Sequence, residues 1–172
     1  MVPPMDRPET LWAPWRMEYI RQKKREDGCI FCAFPSRDTH REDLVLAVQP
    51  HAFVCVNRYP FASCHVLVCP RAHVATMDAL APEAFDATMH LVRESVTRLR
   101  SVLSADGFNV GMNLGSAAGA GIAEHMHAHV VPRWFGDTNF MPVLGDVRVM
   151  PEYLDQTYAH LLPAFADLDQ RS

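Results

Sequence analysis

No apolar run in this chain approaches the roughly 18 residues that a membrane-crossing helix requires. The stretch from Met1 to Arg16 carries Pro, Asp and Glu and has no apolar h-region, so no signal peptide is visible and the cytoplasm is the expected location. An excess of basic charge is also missing. The 16 Lys and Arg residues face 20 Asp and Glu, a formal net charge of -4, which removes the electrostatic footprint of a general nucleic-acid binder. There is no internal repeat and no low-complexity segment. Neither a membrane nor a nucleic acid is therefore an expected partner. What remains is an ordinary globular balance, 49% apolar and 21% charged, in 172 residues. That length makes one domain, or one domain with an extension, and is enough to bury a core without staples.

Five cysteines is an odd count. Cys55, Cys64 and Cys69 fall in apolar, strand-like runs and are expected as small buried hydrophobes. Cys29 and Cys32 form a tight Cys-x-x-Cys. Without a secretory signal, a metal half-site or a redox pair is favoured over a disulfide framework.

The segment Leu11-Trp12-Ala13-Pro14-Trp15-Arg16 predicts a short helix running on through Met17, Tyr19 and Ile20, with Pro14 in its first turn. Gln22 to Asp27 is a charged stretch that Gly28 stops. Leu44 to Val48, Phe53 to Tyr59 and His65 to Cys69 are short β-branched-rich runs bounded by Pro or polar residues, which predicts strands joined as antiparallel hairpins. Pro82 to Leu103 predicts the main helix. Phe85, Met89, Val92, Val96, Leu99 and Leu103 recur on one 3.6-residue face, and Asp86, Arg93, Glu94, Arg98 and Arg100 occupy the other. Phe108, Val110, Met112 and Leu114 alternate as a half-buried strand, and His125 to Val131 alternates again. Between Pro151 and Phe165, Leu154, Tyr158, Leu161, Leu162 and Phe165 have helical spacing. Strand runs separated by one long helix indicate the α+β class, with an antiparallel sheet of about five strands.

The chemistry concentrates in His125-Met126-His127-Ala128-His129. On a strand these three histidines share one face, neighbours about 6–7 Å apart, while Met126, Ala128 and Val130 face the core. Three unrelated polar residues would explain this poorly, because histidine is uncommon. One reading is a shared metal ion, for which a further carboxylate or histidine is needed; Glu124 is adjacent but alternation turns it away. The other is nucleophilic catalysis by a neutral imidazole held in one tautomer. The preceding loop favours the second. Asn113, Gly115, Ser116, Gly119 and Gly121 offer open backbone N–H groups and small polar side chains of the kind that cradle phosphate oxygens.

His125-x-His127-x-His129-x-x resembles the motif of the histidine triad (HIT) superfamily of nucleotide hydrolases and transferases. The likeness extends to Val56-Asn57-Arg58-Tyr59-Pro60, His65-Val-Leu-Val, Pro70-Arg71-Ala72-His73, Asn113-Leu114-Gly115 and Val131-Pro132-Arg133-Trp134. It covers roughly Gly28 to Trp134, so that residues 1–27 form an N-terminal extension, 28–135 the HIT domain and 136–172 a C-terminal extension with a helix. The N-terminal Leu-Trp-Ala-Pro-Trp-Arg, the glycine loop and Trp134 look most like the bacterial diadenosine tetraphosphate phosphorylase branch.

The resemblance implies that His127 attacks the α-phosphorus to form a nucleotidyl-histidine, which phosphate or water then resolves. It implies His129 on the transferring phosphoryl group, Asn113, Ser116 and loop amides at Gly119 and Gly121 on its oxygens, and Asn57 on the ribose. Phe31 is expected either to pack on the base or to be a plain core aromatic, and Trp134 to lie towards the substrate. Many family hydrolases carry a glutamine four residues before the first histidine, where this chain has Gly121. That absence disfavours plain hydrolysis and leaves room for a bulkier acceptor such as phosphate. Cys29 and Cys32 have the spacing of half a tetrahedral zinc site, and zinc-bearing members complete it with histidines at the positions of His73 and His125. A structural zinc is thus expected, and no organic cofactor. The resemblance also implies a homodimer or a higher homo-oligomer. The expected activity is phosphorolysis of diadenosine tetraphosphate to ADP and ATP. The alternatives are hydrolysis of dinucleoside polyphosphates or nucleoside phosphoramidates, a metal enzyme using the triad as ligands, and a non-catalytic nucleotide-binding module.

Overall fold

A computed structural model describes residues 28–137, 150 and 152–170. The expected helix around Pro14 and the whole 1–27 extension lie outside the described residues. The core is a five-stranded antiparallel sheet of β1 (Val45–Val48), β2 (Ala52–Val56), β3 (Val66–Pro70), β4 (Gly107–Met112) and β5 (Ala128–Arg133). The spatial order is β1-β2-β3-β5-β4. Among the described residues three α-helices accompany it: α1 (Ile30–Ala33), α2 (Pro82–Leu103) and α3 (Leu154–Phe165). The α+β class and the hairpin connections are as the sequence predicts.

β1, β2 and β3 are buried along their whole lengths, which is why they read as continuous apolar runs instead of alternating ones. One sheet face packs against α2 and α3 through Leu46, Val54, Val66, Leu91, Leu99, Leu161 and Phe165. The other is covered by α1 and the loop before β5, through Phe31, Phe53, Cys55, Cys69 and Ile122. β4 differs: it is an edge, and Asn109, Val110 and Gly111 are exposed.

α2 has the predicted span but a rotated seam. The residues it buries are Ala84, Thr88, Leu91, Val92, Ser95 and Leu99, whereas Met89 is exposed and Val96 and Leu103 are only partly covered. Ala84, Thr88 and Ser95 share the contact with Leu91, Val92 and Leu99, and Val96 and Leu103 flank it. Thr88 and Ser95 satisfy their buried hydroxyls by donating to the carbonyls of Ala84 and Leu91, both at 2.7 Å. A count of apolar residues therefore misses two of the positions nearest the core.

α3 belongs to the same core. The Tyr158 hydroxyl donates to the Val45 carbonyl at 3.2 Å, and Arg98 on α2 donates to the Ala164 carbonyl at 2.6 Å. Beyond α3, Asp169 accepts from the Val48 N–H at 3.0 Å and Gln170 N–H donates to the Val48 carbonyl at 2.9 Å. This clasp occupies backbone groups on the outer side of β1. The last strand starts later than the alternation predicts: hydrogen-bonded pairing begins at Ala128, so His125 and His127 lie on the segment entering β5.

Candidate active site

The entering segment is wedged between two strand ends. Ala128 is paired with both Met112 on β4 and Val68 on β3, and the Met126 N–H is anchored on the Val74 carbonyl at 2.7 Å. Met126 and Ala128 point into the core as expected, at 1% and 0% exposure. His125 and His127 are nevertheless buried too, so the three histidines do not form a solvated row. Each has its own surroundings.

The partners of each ring settle its tautomer, because a carbonyl can only accept and a backbone N–H can only donate. His127 Nδ1–H donates to the carbonyl of His125 at 3.0 Å, which leaves a lone pair on Nε2. His125 Nε2–H donates to the Pro70 carbonyl at 2.8 Å, which leaves the lone pair on Nδ1. His129 Nδ1 lies 3.0 Å from Nε2 of His65, a fully buried histidine on the turn into β3. His65 Nδ1 accepts from the Phe61 N–H at 3.1 Å, so its proton is on Nε2 and is donated to His129. His129 therefore carries its own proton on Nε2, a buried atom with no hydrogen-bond partner among the described residues. The site presents an imidazole lone pair next to an unsatisfied imidazole N–H, with the two rings 5.0 Å apart.

Burial keeps these rings neutral. Desolvation pushes His125 and His127 below the ordinary histidine value, and it takes His129 down to about 4 with help from its neighbour His127. A lone pair on His127 is thus available throughout the neutral range.

The lone pair of His125 faces a cluster of its own. Nδ1 lies 3.3 Å from Cys29 Sγ and 3.5 Å from Cys32 Sγ, and Cys32 Sγ lies 3.2 Å from His73 Nδ1. One ligand atom from each of these four residues falls within 4.8 Å of all the others. Tetrahedral bonds of about 2.3 Å to sulfur and about 2.0 Å to nitrogen would separate the two atom types by about 3.5 Å. The donor set fits a four-coordinate metal with no open position. The three triad histidines do not converge on one point: His125 commits Nε2 to the Pro70 carbonyl and turns Nδ1 to the thiols, so it is not shared with His127 and His129.

Register puts Asn113, the residue after β4, across from His127. Ser116 and Gly119 sit on an exposed turn whose glycines, Gly115 and Gly119, take left-handed φ values of 82° and 85° that disfavour any side chain. Gly121, half-buried, leads that loop back to His125. Phe31 is 3% exposed and packs its ring against His125 at 5.5 Å and His127 at 5.1 Å, so it buttresses the histidines and offers no free face to a base. Trp134 is not brought to the triad. It follows the far end of β5, about 20 Å along the chain from His127 at strand rise, where its indole N–H donates to the Leu103 carbonyl at 3.3 Å. Asn57 lies on the loop after β2 with its carboxamide bonded within the protein: Oδ1 accepts from the Tyr59 N–H and Nδ2 lies 3.2 Å from His65 Nδ1. His65 is the functional side chain that sequence reasoning passed over. In the sequence it opens an apolar strand and the family-like His65-Val-Leu-Val stretch with no role attached, and its place beside His129 depends on the β3–β5 pairing.

The profile of the HIT domain family matches residues 39–136. The chain is 33% identical over 159 residues to the AP-4-A phosphorylase of Mycobacterium tuberculosis, an alignment covering 88% of this chain and 82% of that one. It is also 33% identical over 119 residues to the bifunctional bis(5'-adenosyl)-triphosphatase/adenylylsulfatase of Arabidopsis thaliana, covering 67% and 63% of the two chains. Among solved structures, a zinc-bound histidine triad family protein from Mycobacterium smegmatis superimposes with a TM-score of 0.66 at 29% identity, covering 82% of this chain and 95% of that one.

Proposed function

The chain belongs to the HIT domain family, and from that premise we propose that it is a nucleotidyltransferase that cleaves dinucleoside polyphosphates through a nucleotidyl-histidine, diadenosine tetraphosphate and phosphate giving ADP and ATP. The observation that carries this reading is the tautomer of His127, whose Nδ1–H is held by the His125 carbonyl so that Nε2 keeps a lone pair. That nitrogen attacks the α-phosphorus of the bound dinucleotide. An N–P bond forms, and the P–O bond to the remaining nucleotide breaks. The adjacent Nε2–H of His129 donates to an oxygen of the transferring group, where charge collects. Phosphate then attacks the same phosphorus, which releases ADP and returns the electron pair to His127. Asn113, Ser116 and the amides at Gly119 and Gly121 are assigned to the phosphate oxygens in this reading, supported by the place of their loop between β4 and His125. Gly121, having no side chain, leaves room for a phosphate acceptor larger than water.

Zinc is the metal proposed for Cys29, Cys32, His73 and His125, since two thiolates and two imidazoles suit it and no coordination position is left for chemistry. Bound there, it would supply rigidity. The sheet edge at β4 supports association into a homodimer, because no strand among the described residues pairs with its outer side. No helix among the described residues is long and apolar enough to cross a membrane.

The test is product analysis with diadenosine tetraphosphate, with and without inorganic phosphate, alongside His127→Ala. ADP plus ATP formed only with phosphate is the expected result. AMP plus ATP formed without phosphate would make the enzyme a hydrolase and end the inference from Gly121. Nucleotide binding with no turnover of any dinucleotide would leave a binding module.

A further inference from the structure

We propose that Asn57 and the backbone N–H of Phe61 are positioning groups that act through His65 to fix His129 as an Nε2–H donor. The proposal rests on the nucleotidyl-transfer reading for the use of that proton, but not for its location. Two donors converge on one ring nitrogen: Phe61 N–H at 3.1 Å and the Asn57 carboxamide at 3.2 Å from His65 Nδ1. The carboxamide cannot turn over freely, because its oxygen is committed to the Tyr59 N–H at 3.0 Å. Its NH2 group therefore faces His65 and can only donate. Nδ1 of His65 is held as an acceptor by both, its proton sits on Nε2, and that proton is shared with His129 Nδ1 at 3.0 Å.

The consequence appears two rings away. Were His65 to take the opposite tautomer, His129 Nδ1 would have to carry the proton, and Nε2 would turn a lone pair towards the site. A lone pair facing a phosphate oxygen repels it where an N–H attracts it. The loop from Asn57 to His65 thus sets the sign of the interaction that His129 makes with the transferring group. The loop is also well anchored, with the Asn57 N–H donating to the His65 carbonyl at 2.8 Å. The Phe61 ring stacks on His129 at 5.5 Å and 27°, which holds the plane of that imidazole.

The experiment uses the isotope-labelled, metal-loaded full chain and reads the ring nitrogens of each histidine by long-range proton–nitrogen correlation, next to kcat and KM. In the wild type, His65 and His129 should each show one ring proton, on Nε2. Asn57→Leu leaves the Phe61 N–H as the one remaining donor of the two on His65 Nδ1, and this weaker hold should lower the Nε2–H share of His129 and lower kcat at least about tenfold, with KM and metal content little changed. Phe61→Ala keeps the backbone N–H and should leave both tautomers as they are. Asn57→Ala is read in the same way should the leucine variant not fold. A wild-type His65 or His129 protonated on Nδ1 would overturn the proposal. So would an Asn57 variant that loses kcat with both tautomers intact, since Asn57 would then act on the substrate directly. A shifted tautomer with unchanged kcat would equally remove its role in transfer. A wild type that turns over no nucleotide ends the functional reading instead, and the spectra alone then decide where the protons are.

Discussion

The carbonyl of His125 lies 3.0 Å from Nδ1 of His127, while the ring of His125 turns its own Nδ1 to Cys29 and Cys32. The residue that would ligate the metal therefore also orients the ring of His127, the proposed nucleophile. Metal removal should damage both stability and turnover. Cys32→Ser, or chelation of the wild type, should lower bound zinc, lower the melting temperature and reduce kcat by more than it raises KM. Elemental analysis, thermal melting and steady-state kinetics on the same samples check this. A chelated protein that keeps wild-type kcat would show that the carbonyl is held by the fold alone.

His127→Ala should lower kcat/KM by about a thousandfold or more, because the covalent route disappears with the nucleophile. Acid-quenched mass spectrometry of the wild type with substrate should show a nucleotidyl adduct that the variant lacks. An adduct that persists in the variant would move the nucleophile elsewhere.

How much of this was legible beforehand depends on what each signal needs. The α2 span could be read because its periodicity is local, yet its seam through Thr88 and Ser95 could not, since their hydroxyls are apolar in effect only after each has bonded to the carbonyl four residues back. The His125–His129 motif and the Cys-x-x-Cys were visible from spacing. What separates the three histidines was not, because Pro70, Cys29 and His65 reach them from other parts of the chain. Trp134 is expected towards the substrate because it follows the motif in sequence, and the structure sets it seven residues along the chain from His127 with its indole N–H on the Leu103 carbonyl. Phe31 is a buttress because α1 folds under His125 and His127, a long-range contact with no local signature.

Arg98 ties α2 to the C-terminal helix through the Ala164 carbonyl and, by Nη2, through Asp167 at 2.9 Å. Its side chain is 19% exposed, so the bond to the carbonyl is partly shielded from water, whereas Asp167 is 70% exposed. Arg98→Ala should destabilise the protein by about 1–3 kcal/mol, and Asp167→Ala should change it little, as exposed ion pairs do. Both should keep wild-type kcat. Denaturant unfolding separates the two variants, and an aspartate variant as destabilised as the arginine one would assign the stabilisation to the ion pair.

His129 provides the pH test. Its folded value is lowered to about 4, while the unfolded chain titrates near the ordinary 6.5, chiefly because burial penalises the charged ring. The unfolded state therefore binds more protons between those limits, and the stability contributed by the neutral ring is whole above about pH 6.5. It is lost progressively as pH falls towards 4. Loss of a metal from the Cys29, Cys32, His73 and His125 cluster would act on both proteins alike, so the informative quantity is the difference between wild type and His129→Gln. The gap in melting temperature between the two should be constant from pH 8 to 6.5 and should shift against the wild type from 6.5 down to 4, because glutamine does not titrate. Parallel curves across the whole range would mean that His129 takes up its proton equally in the folded and unfolded states, and is not the desolvated donor that the site requires.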